Sequence, residues 1–237
     1  MLQSAYVLHT RAYRDTSLLL ELFTPDHGRV SVIARGARGA RSRSSRFKGA
    51  LQPFAPLLVS WYGKTELFIL TAAEAEGMVY NLSGEALICG IYLNELLMRL
   101  LHRYDAHPQL YGAYQNALLA LQQKENTQLT LRLFEKCLLL ELGYALQLDR
   151  EVHTGEEIAA DQYYYFDSAQ GYLQRADEFQ SSAASHIFCG KSLLALHHDQ
   201  LTEENFLRDA KRLLRIALAR LLENRPIRSR ELFLVKD

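Results

Sequence analysis

The pattern of apolar residues changes near Ser83–Gly84, and this change constrains the fold more than any other feature of the sequence. Before it, short stretches rich in β-branched and aromatic residues lie between turn residues, which is typical of strands. After it, apolar residues recur every three or four positions, which indicates amphipathic helices. We therefore expect an α+β protein, with one domain over residues 1–80 and a helical domain over residues 81–237.

Five short strands are predicted in the first domain: Ser4–His9, Ser17–Thr24, Arg29–Ala34, Leu57–Tyr62 and Glu66–Thr71. The stretch Pro25–Gly28 joins the second strand to the third as a turn, because proline fixes one dihedral angle and glycine adopts positive φ without strain. A domain of this length with five strands fits a small closed barrel, and we expect the five-stranded OB-fold.

The second domain is predicted to contain five helices: residues 84–101, Pro108–Gln123, Leu129–Leu142, a shorter helix within Ser181–Leu196, and Thr202–Leu222. Thr202 is expected to cap the last helix. Residues 147–180 lie within an acidic region and include the aromatic run Tyr163–Phe166. We expect this segment to be an irregular insertion or hairpin, whose tyrosines serve in packing rather than in base stacking.

The formal net charge of the chain is zero, but the charge is unevenly distributed. Residues 1–80 contain ten basic and six acidic residues, a net charge of +4, and the rest of the chain carries −4. An imbalance of this kind favours a polyanionic partner for the basic domain.

Most of that positive charge lies between the third and fourth strands, in a stretch without acidic residues. Six basic residues occur there in close succession: Arg35, Arg38, Arg41, Arg43, Arg46 and Lys48. Glycine, alanine and serine separate them, so the segment has little apolar surface to bury and is expected to be a projecting loop. Arginines spaced in this way can bind successive phosphates and stack on unpaired bases, which predicts a nucleic-acid-binding site. The alternative is a solvated basic loop that only increases solubility.

A second basic group lies on the last predicted helix. Its members are three or four residues apart and share one side of that helix: Arg208, Lys211, Arg212 and Arg215. They could bind nucleic acid, an acidic protein tail, or the acidic insertion of the same chain. The sequence leaves these three alternatives open.

Motifs of common enzyme classes are missing from the sequence. Gly63–Thr65 and Gly190–Ser192 resemble the end of a P-loop, but Leu58 and Ser185 stand where the motif needs glycine. The cysteines form no CxxC pair, so no metal site is expected. We predict a non-enzymatic protein without a cofactor, located in the cytoplasm, because no stretch is long and apolar enough to span a membrane.

Short stretches spread in order over nearly the whole chain match one known family: Tyr6–His9, Asp15–Leu18, Phe23–Thr24 with Gly28–Val30, Ala34–Arg38, Lys48–Phe54, Tyr92–Leu97, Leu142–Tyr144, Ala210–Arg212 and Ser229–Phe233. Through them the chain resembles the RecO family of bacterial recombination mediators. The resemblance implies an OB-fold followed by a helical domain. It also implies a DNA repair protein, associated with the nucleoid, that binds single- and double-stranded DNA and anneals complementary strands.

The partners implied by the resemblance are single-strand-binding protein (SSB), RecR and, indirectly, RecA, which is loaded onto SSB-coated DNA. The family pattern Leu-Arg-x-Phe-Glu matches Leu131–Glu135, so Arg132 is the implied binding residue for the acidic C-terminal tail of SSB. Many family members also bind zinc through four cysteines in the insertion. Residues 144–185 contain no cysteine, so the chain resembles the zinc-free branch.

Two other functions stay open at this point. One is an RNA-binding OB-fold protein whose helices dock other proteins, because arginines that bind phosphates do not distinguish DNA from RNA. The other is an enzyme whose active site is assembled from residues far apart in sequence.

Overall fold

The structure, a computed structural model, describes residues 2–38, 47, 49–63, 67–167, 172–175 and 181–233. It falls into two compact units, Met1–Glu125 with Ile227–Asp237, and Asn126–Pro226. The first unit therefore contains the predicted β-rich domain, two helices and the last residues of the chain. The sequence domains 1–80 and 81–237 are divided at a different point, and that division stays a prediction.

Five strands form a closed barrel in the first unit: β1 Gln3–Tyr13, β2 Ser17–Thr24, β3 Gly28–Ala34, β4 Leu57–Tyr62 and β5 Phe68–Ala75. Their order around the barrel is β1-β2-β3-β5-β4, with β4 pairing back to β1. Neighbouring strands are antiparallel except for β3 and β5, which are parallel. This order is that of the OB-fold, so the predicted α+β fold and the predicted barrel are confirmed.

The predicted C-terminal ends of β1 and β5 were wrong, because both strands are longer than predicted. β1 continues beyond His9 to Tyr13, because its last residues complete a hairpin in which Tyr13 pairs with Ser17. β5 continues beyond Thr71 to Ala75 along β4, although alanine and glutamate carry no strand signal. The predicted start of β5 at Glu66 lies outside the described residues.

The interior of the barrel follows from alternation along the strands. Every second residue of β2, β3 and β4 points inward, since successive side chains of a strand lie on opposite faces. The buried cluster comprises Ala5, Val7, Leu20, Leu22, Val30, Val32, Ala34, Phe47, Leu57, Val59, Leu70 and Ala73. The barrel is therefore filled with side chains, and ligands must bind on its outside.

An irregularity in β1 connects the barrel to the helices of the first unit, α1 Gly84–Leu100 and α2 Pro108–Gln122. The register between β1 and β2 shifts at Leu8. The carbonyl of Leu8 accepts a hydrogen bond of 3.1 Å from the Asn94 side chain of α1. The Tyr114 hydroxyl of α2 donates to the other end of the same amide over 2.6 Å. One buried asparagine thus connects a strand and two helices.

Aromatic rings fill the space around this connection. Tyr6 and Phe23, on the outer face of the barrel, contact Tyr111 and Tyr114 of α2 at ring-centroid distances of 5.1 to 6.1 Å. Burial raises the pKa of the Tyr114 hydroxyl well above its usual value, so this group stays protonated and remains a donor.

The turn between β2 and β3 packs closely against the connection between α1 and α2. Gly28 has a φ of +58°, and a Cβ atom there would lie 1.7 Å from the carbonyl oxygen of Asp105. Nearby, the buried Glu21 carboxylate accepts hydrogen bonds from Ser31 at 2.6 Å and Arg103 at 3.0 Å. Glycine is therefore required at position 28 by both the backbone conformation and the available space.

A 3₁₀ helix, Arg228–Phe233, completes the first unit by packing against α1. The Glu95 carboxylate accepts hydrogen bonds from the backbone amides of Arg228, at 3.0 Å, and Ser229, at 2.8 Å. Glu95 also forms an ion pair with Arg99. Burial acts to raise the pKa of Glu95, but these amides and Arg99 more than compensate and lower it below its usual value.

The second unit contains three helices and a small sheet. The helices are α3 Thr127–Glu141, α4 Gly190–His197 and α5 Glu204–Leu221, and α5 packs against the other two. The strands are β6 Tyr163–Asp167, β7 Tyr172–Arg175 and β8 Ile187–Cys189, in the order β7-β6-β8. The first two strands form the hairpin that was expected in the insertion.

The shorter helix expected within Ser181–Leu196 is α4, which ends one residue beyond that range, and a 3₁₀ helix, Ser181–His186, and β8 precede it. The strand forms because Phe188 is buried in the sheet beside Tyr164. Glu203, rather than Thr202, occupies the N-cap position of α5, which begins at Glu204.

No helix in the described part of the chain is long and apolar enough to cross a membrane.

We predict that Tyr114→Phe lowers the free energy of unfolding by about 1–3 kcal/mol, because the buried Asn94 side-chain oxygen loses its donor. Urea denaturation at neutral pH measures the change. Tyr144→Phe, at an exposed position, is the matched control and should leave stability unchanged. Equal stability of the two variants would contradict a structural role for this hydrogen bond.

We also predict a pH-dependent effect of Glu95→Gln. A carboxylate whose pKa is lowered by folding stabilises the protein above its unfolded pKa of about 4.3, and this contribution is lost as the pH falls through the folded value. The variant should therefore be less stable than the unmodified protein at neutral pH, and the difference should shrink below about pH 4. Denaturation across this pH range measures it, and a difference independent of pH would contradict the assignment.

Candidate nucleic-acid interface

The predicted DNA-binding segment begins directly after β3. Arg35 and Arg38 are exposed, and the backbone amide of Arg38 donates a hydrogen bond of 2.8 Å to the carbonyl of Thr16. The chain is therefore fixed here against the turn between β1 and β2, while both guanidinium groups face solvent. The other four predicted residues, Arg41, Arg43, Arg46 and Lys48, lie outside the described residues.

A second fixed point lies at Phe47, which is 5% exposed and belongs to the barrel interior. The amide of Ala50 donates to its carbonyl over 3.2 Å. Arg38 and Phe47 are thus two residues through which the chain contacts the barrel. A buried aromatic residue in a basic stretch was not singled out by the sequence, because charge and small residues dominate the pattern around it.

A row of aromatic rings that the sequence did not reveal leads from the barrel interior to its surface: Trp61 and Phe68 are partly buried against the interior cluster. His27 and Tyr104, at the two ends of the row, are exposed. His27 and Trp61 are in contact at 5.6 Å, Trp61 and Phe68 at 6.3 Å, and Phe68 and Tyr104 at 5.9 Å between ring centroids. Tyr62, the neighbour of Trp61 in β4, is 57% exposed. Aromatic side chains on an OB-fold can stack on unpaired bases. They come from the β2–β3 turn, two strands and the α1–α2 connection, and a periodicity search does not link such segments.

The aromatic row runs alongside β3 toward the start of the basic segment. His27 precedes the first residue of β3, whereas Arg35 follows the last. Between them, Phe68 pairs with Val32 of β3. Val32 is three positions before Arg35, about 10 Å along an extended strand, whereas His27 and Arg35 are separated by the whole strand.

The second basic group divides into two kinds of residue. Arg208, Lys211 and Arg215 are exposed on α5. Arg212 donates to the carbonyls of Ala184, at 3.2 Å, and Ile187, at 2.7 Å. It also pairs with Asp209 at 3.1 Å, and its guanidinium carbon lies 4.3 Å from the centre of the Phe188 ring. Arg212 is therefore engaged in holding the sheet to α5.

Arg132 is placed inside the second unit. Its side chain is 5% exposed, and its Nη2 atom donates to Glu135 Oε1 over 2.8 Å. The Glu135 side chain is 1% exposed. Arg132 and Glu135 therefore form a buried ion pair within one turn of α3.

Metal-ligating residues do not converge in the described residues: no group of three or more His, Cys, Asp or Glu side chains is close enough to hold an ion. Where the insertion begins, Glu151 accepts hydrogen bonds from the amides of His153, at 2.9 Å, and Thr154, at 2.5 Å. The amide of Ile158 donates to the carbonyl of Asp149. Hydrogen bonds therefore stabilise the loop over residues 149–158.

The barrel and its surface define the class of protein: an OB-fold with exposed arginines after β3 and exposed aromatic rings, followed by helices. Residues 1–78 match the family model described as "Recombination protein O N terminal", and residues 82–231 match "Recombination protein O C terminal". The chain therefore belongs to the RecO family.

Full-length relatives support the same assignment. The chain is 47% identical over 231 residues to the DNA repair protein RecO of Coxiella burnetii, with 98% of this chain and 97% of the relative covered. It is 46% identical to the DNA repair protein RecO of Methylococcus capsulatus, with 98% and 93% covered. Identity to the corresponding protein of Nitrosococcus oceani is 45%, with 98% and 92% covered.

We predict that the residues of the second basic group differ in their effect on stability. Arg212→Lys loses the planar stacking on Phe188 and the forked hydrogen bonds, and should lower the free energy of unfolding by about 1–2 kcal/mol. Arg215→Lys, on the same helix but exposed, should change it by less than about 0.5 kcal/mol. Urea denaturation of both variants measures the difference, and equal values would show that Arg212 has no structural role.

Proposed function

We propose that this protein is a DNA repair and recombination mediator that binds single- and double-stranded DNA and anneals complementary strands. The observation that carries the proposal is near-complete similarity, at 40–47% identity, to relatives named DNA repair protein RecO. The OB-fold barrel with exposed arginines supports it physically. No covalent step is needed, because annealing requires only that two polyanions approach each other while their charge is neutralised.

In this proposal the barrel contacts DNA with two groups of side chains. The segment Arg35–Lys48 neutralises phosphates, and its arginines can also stack on bases. The aromatic row around Trp61 offers further stacking surfaces for an unpaired strand. The row extends from His27 to Phe68, which pairs with Val32, and the basic segment follows β3, so a strand that contacts both groups runs along β3. The exposed residues Arg208, Lys211 and Arg215 form an additional basic surface for DNA.

The proposed partners are SSB, through its acidic C-terminal tail, and RecR. Together they would place the protein on SSB-coated DNA in the nucleoid, in the cytoplasm, where it promotes the loading of RecA. Both groups of exposed arginines suit partners that carry clustered negative charge.

The experiment that tests the function is a fluorescence assay for annealing of complementary single strands, with and without SSB, over a salt series. Annealing that persists on SSB-coated strands and falls steeply with salt is the expected result. A folded protein that fails to anneal naked strands would remove annealing from the proposal. Competition between DNA and RNA oligonucleotides of the same sequence tests the RNA-binding alternative, which predicts that RNA competes more strongly.

We predict that replacing Arg38, Arg41, Arg43 and Arg46 by alanine weakens binding to single-stranded DNA by about tenfold or more at moderate salt. Loss of four phosphate contacts should also reduce the slope of log K against log salt by about 3. Thermal stability should not change, since the described part of this set, Arg38, is exposed. Lysine at the same four positions is the charge-matched control and should keep the slope. Unchanged affinity of the alanine variant contradicts the assignment of this segment.

The role of Arg132 in binding the SSB tail stays a prediction, and its burial beside Glu135 requires a test that separates binding from stability. Arg132→Ala alone removes the positive charge that faces the buried Glu135 carboxylate and should cost about 3–5 kcal/mol of stability. The double variant Arg132→Met/Glu135→Leu removes both charges and should fold.

If Arg132 binds the tail, the double variant should lose affinity for an SSB tail peptide but retain affinity for naked DNA. Fluorescence anisotropy with a labelled peptide and a labelled oligonucleotide measures both affinities. Unchanged peptide binding by a folded double variant contradicts the role of Arg132.

A further inference from the structure

A cleft in the second unit lies among three elements: β6, the beginning of α4 and the first turns of α5. Its volume is about 560 Å³, within the range of roughly 300–1,000 Å³ that is usual for ligand clefts. Each element contributes one functional side chain to its wall: Tyr163 from β6, Lys191 from α4 and Arg208 from α5.

The free charge of this cleft is positive. Lys191 and Arg208 are exposed, and neither side chain forms a hydrogen bond or ion pair with another residue in the described ranges. Two acids line the cleft, Glu203 and Asp209. The Asp209 carboxylate accepts from Ser192 at 2.8 Å and from Arg212 at 3.1 Å. Glu203 is exposed, so the two cations Lys191 and Arg208 outnumber it and leave a net positive charge for an anionic ligand.

The aromatic residue at the cleft is Tyr163, whose side chain is 59% exposed. It starts the central strand of the sheet and pairs with Cys189 of β8, so its backbone is held on one side by the sheet. Its neighbours in the same run serve in packing: Tyr164 and Phe166 are buried, and the Tyr164 hydroxyl accepts from the amide of Ala159 at 2.8 Å. The remaining ring, Tyr165, contacts His186 at 5.9 Å between ring centroids, so Tyr163 is the exposed ring of this run of four.

We propose that this cleft binds single-stranded nucleic acid, with Lys191 and Arg208 in contact with phosphates and the Tyr163 ring stacked on an unpaired base. A single strand offers both groups at once, whereas a duplex hides the faces of its bases. The proposal rests on the proposed DNA-binding function. It adds a contact surface whose residues are other than those of the Arg35–Lys48 segment.

Binding of a labelled oligothymidylate to the full-length protein over a salt series tests the cleft. Tyr163→Ala should weaken binding by about tenfold, and Tyr163→Phe, which keeps the ring, should bind within about twofold of the unmodified protein. The double variant Lys191→Ala/Arg208→Ala should reduce the salt slope by about 1.4, because two phosphate contacts are lost. Tyr144→Ala and Lys124→Ala, at exposed positions outside the cleft, are the matched controls and should not change binding.

Photocrosslinking to an oligonucleotide that contains 5-iododeoxyuridine gives a second measurement on the unmodified protein, independent of how any variant folds. A crosslink mapped to Tyr163 by mass spectrometry is expected. Crosslinks confined to residues outside the cleft overturn the proposal.

The outcomes separate the two proposals. An unmodified, folded protein that binds no single-stranded DNA overturns the proposed function and the cleft together. If the unmodified protein binds and only the Arg38/Arg41/Arg43/Arg46 variant is weakened, the function stands and the cleft proposal is wrong. If the cleft variants lose an acidic peptide but keep the oligonucleotide, the cleft belongs to a protein partner and the proposal is also overturned.

Discussion

The buried amide of Asn94 is the interaction on which the first unit depends, because it gives the barrel a fixed relation to α1 and α2. An ordinary register would use the carbonyl of Leu8 within the sheet, but the irregularity in β1 turns this carbonyl toward α1, where the asparagine donates to it. Tyr114 then satisfies the other end of the amide. Both the NH₂ group and the oxygen of this amide need hydrogen-bond partners, because a buried amide with one group unsatisfied is less stable than an apolar side chain at the same position. The aromatic rings around it supply the bulk of the apolar burial, while the hydrogen bonds specify a single arrangement.

Packed side chains fill the interior of the barrel, so a ligand can bind only to its outer surface. Charge and aromatic rings follow one another along β3: the aromatic row extends from His27 to Phe68 beside Val32, and arginines follow the end of the strand. Phosphate binding gives affinity that depends on salt, whereas stacking depends on unpaired bases and much less on salt. A protein that uses both can hold a single strand firmly while the bases that face away remain able to pair. The second unit repeats this combination on a smaller scale, with Tyr163 beside Lys191 and Arg208.

The barrel and the long helices could be predicted from the sequence because alternation and helical periodicity are local signals. The ends of β1 and β5 could not, since Arg11, Ala12 and Ala72 join strands through pairing with a neighbour rather than through their own preference. The six basic residues after β3 were visible as a run. The aromatic row was not, because its members are brought together only by the closed barrel. Periodicity placed Arg132 and Arg212 on helices but carries no information about their partners. The structure buries Arg132 in an ion pair, whereas Arg212 holds β8.

The return of the chain to its first unit through Arg228–Phe233 has a consequence for biosynthesis. The hydrogen bonds from the amides of Arg228 and Ser229 to the Glu95 carboxylate can form only after the whole second unit has been synthesised. The second unit therefore has all its residues outside the ribosome before the first unit does, and the first unit completes its folding last. A premature stop near the end of the message would then damage the unit encoded at the beginning, and such truncated chains should be recognised by proteases through an incompletely covered α1.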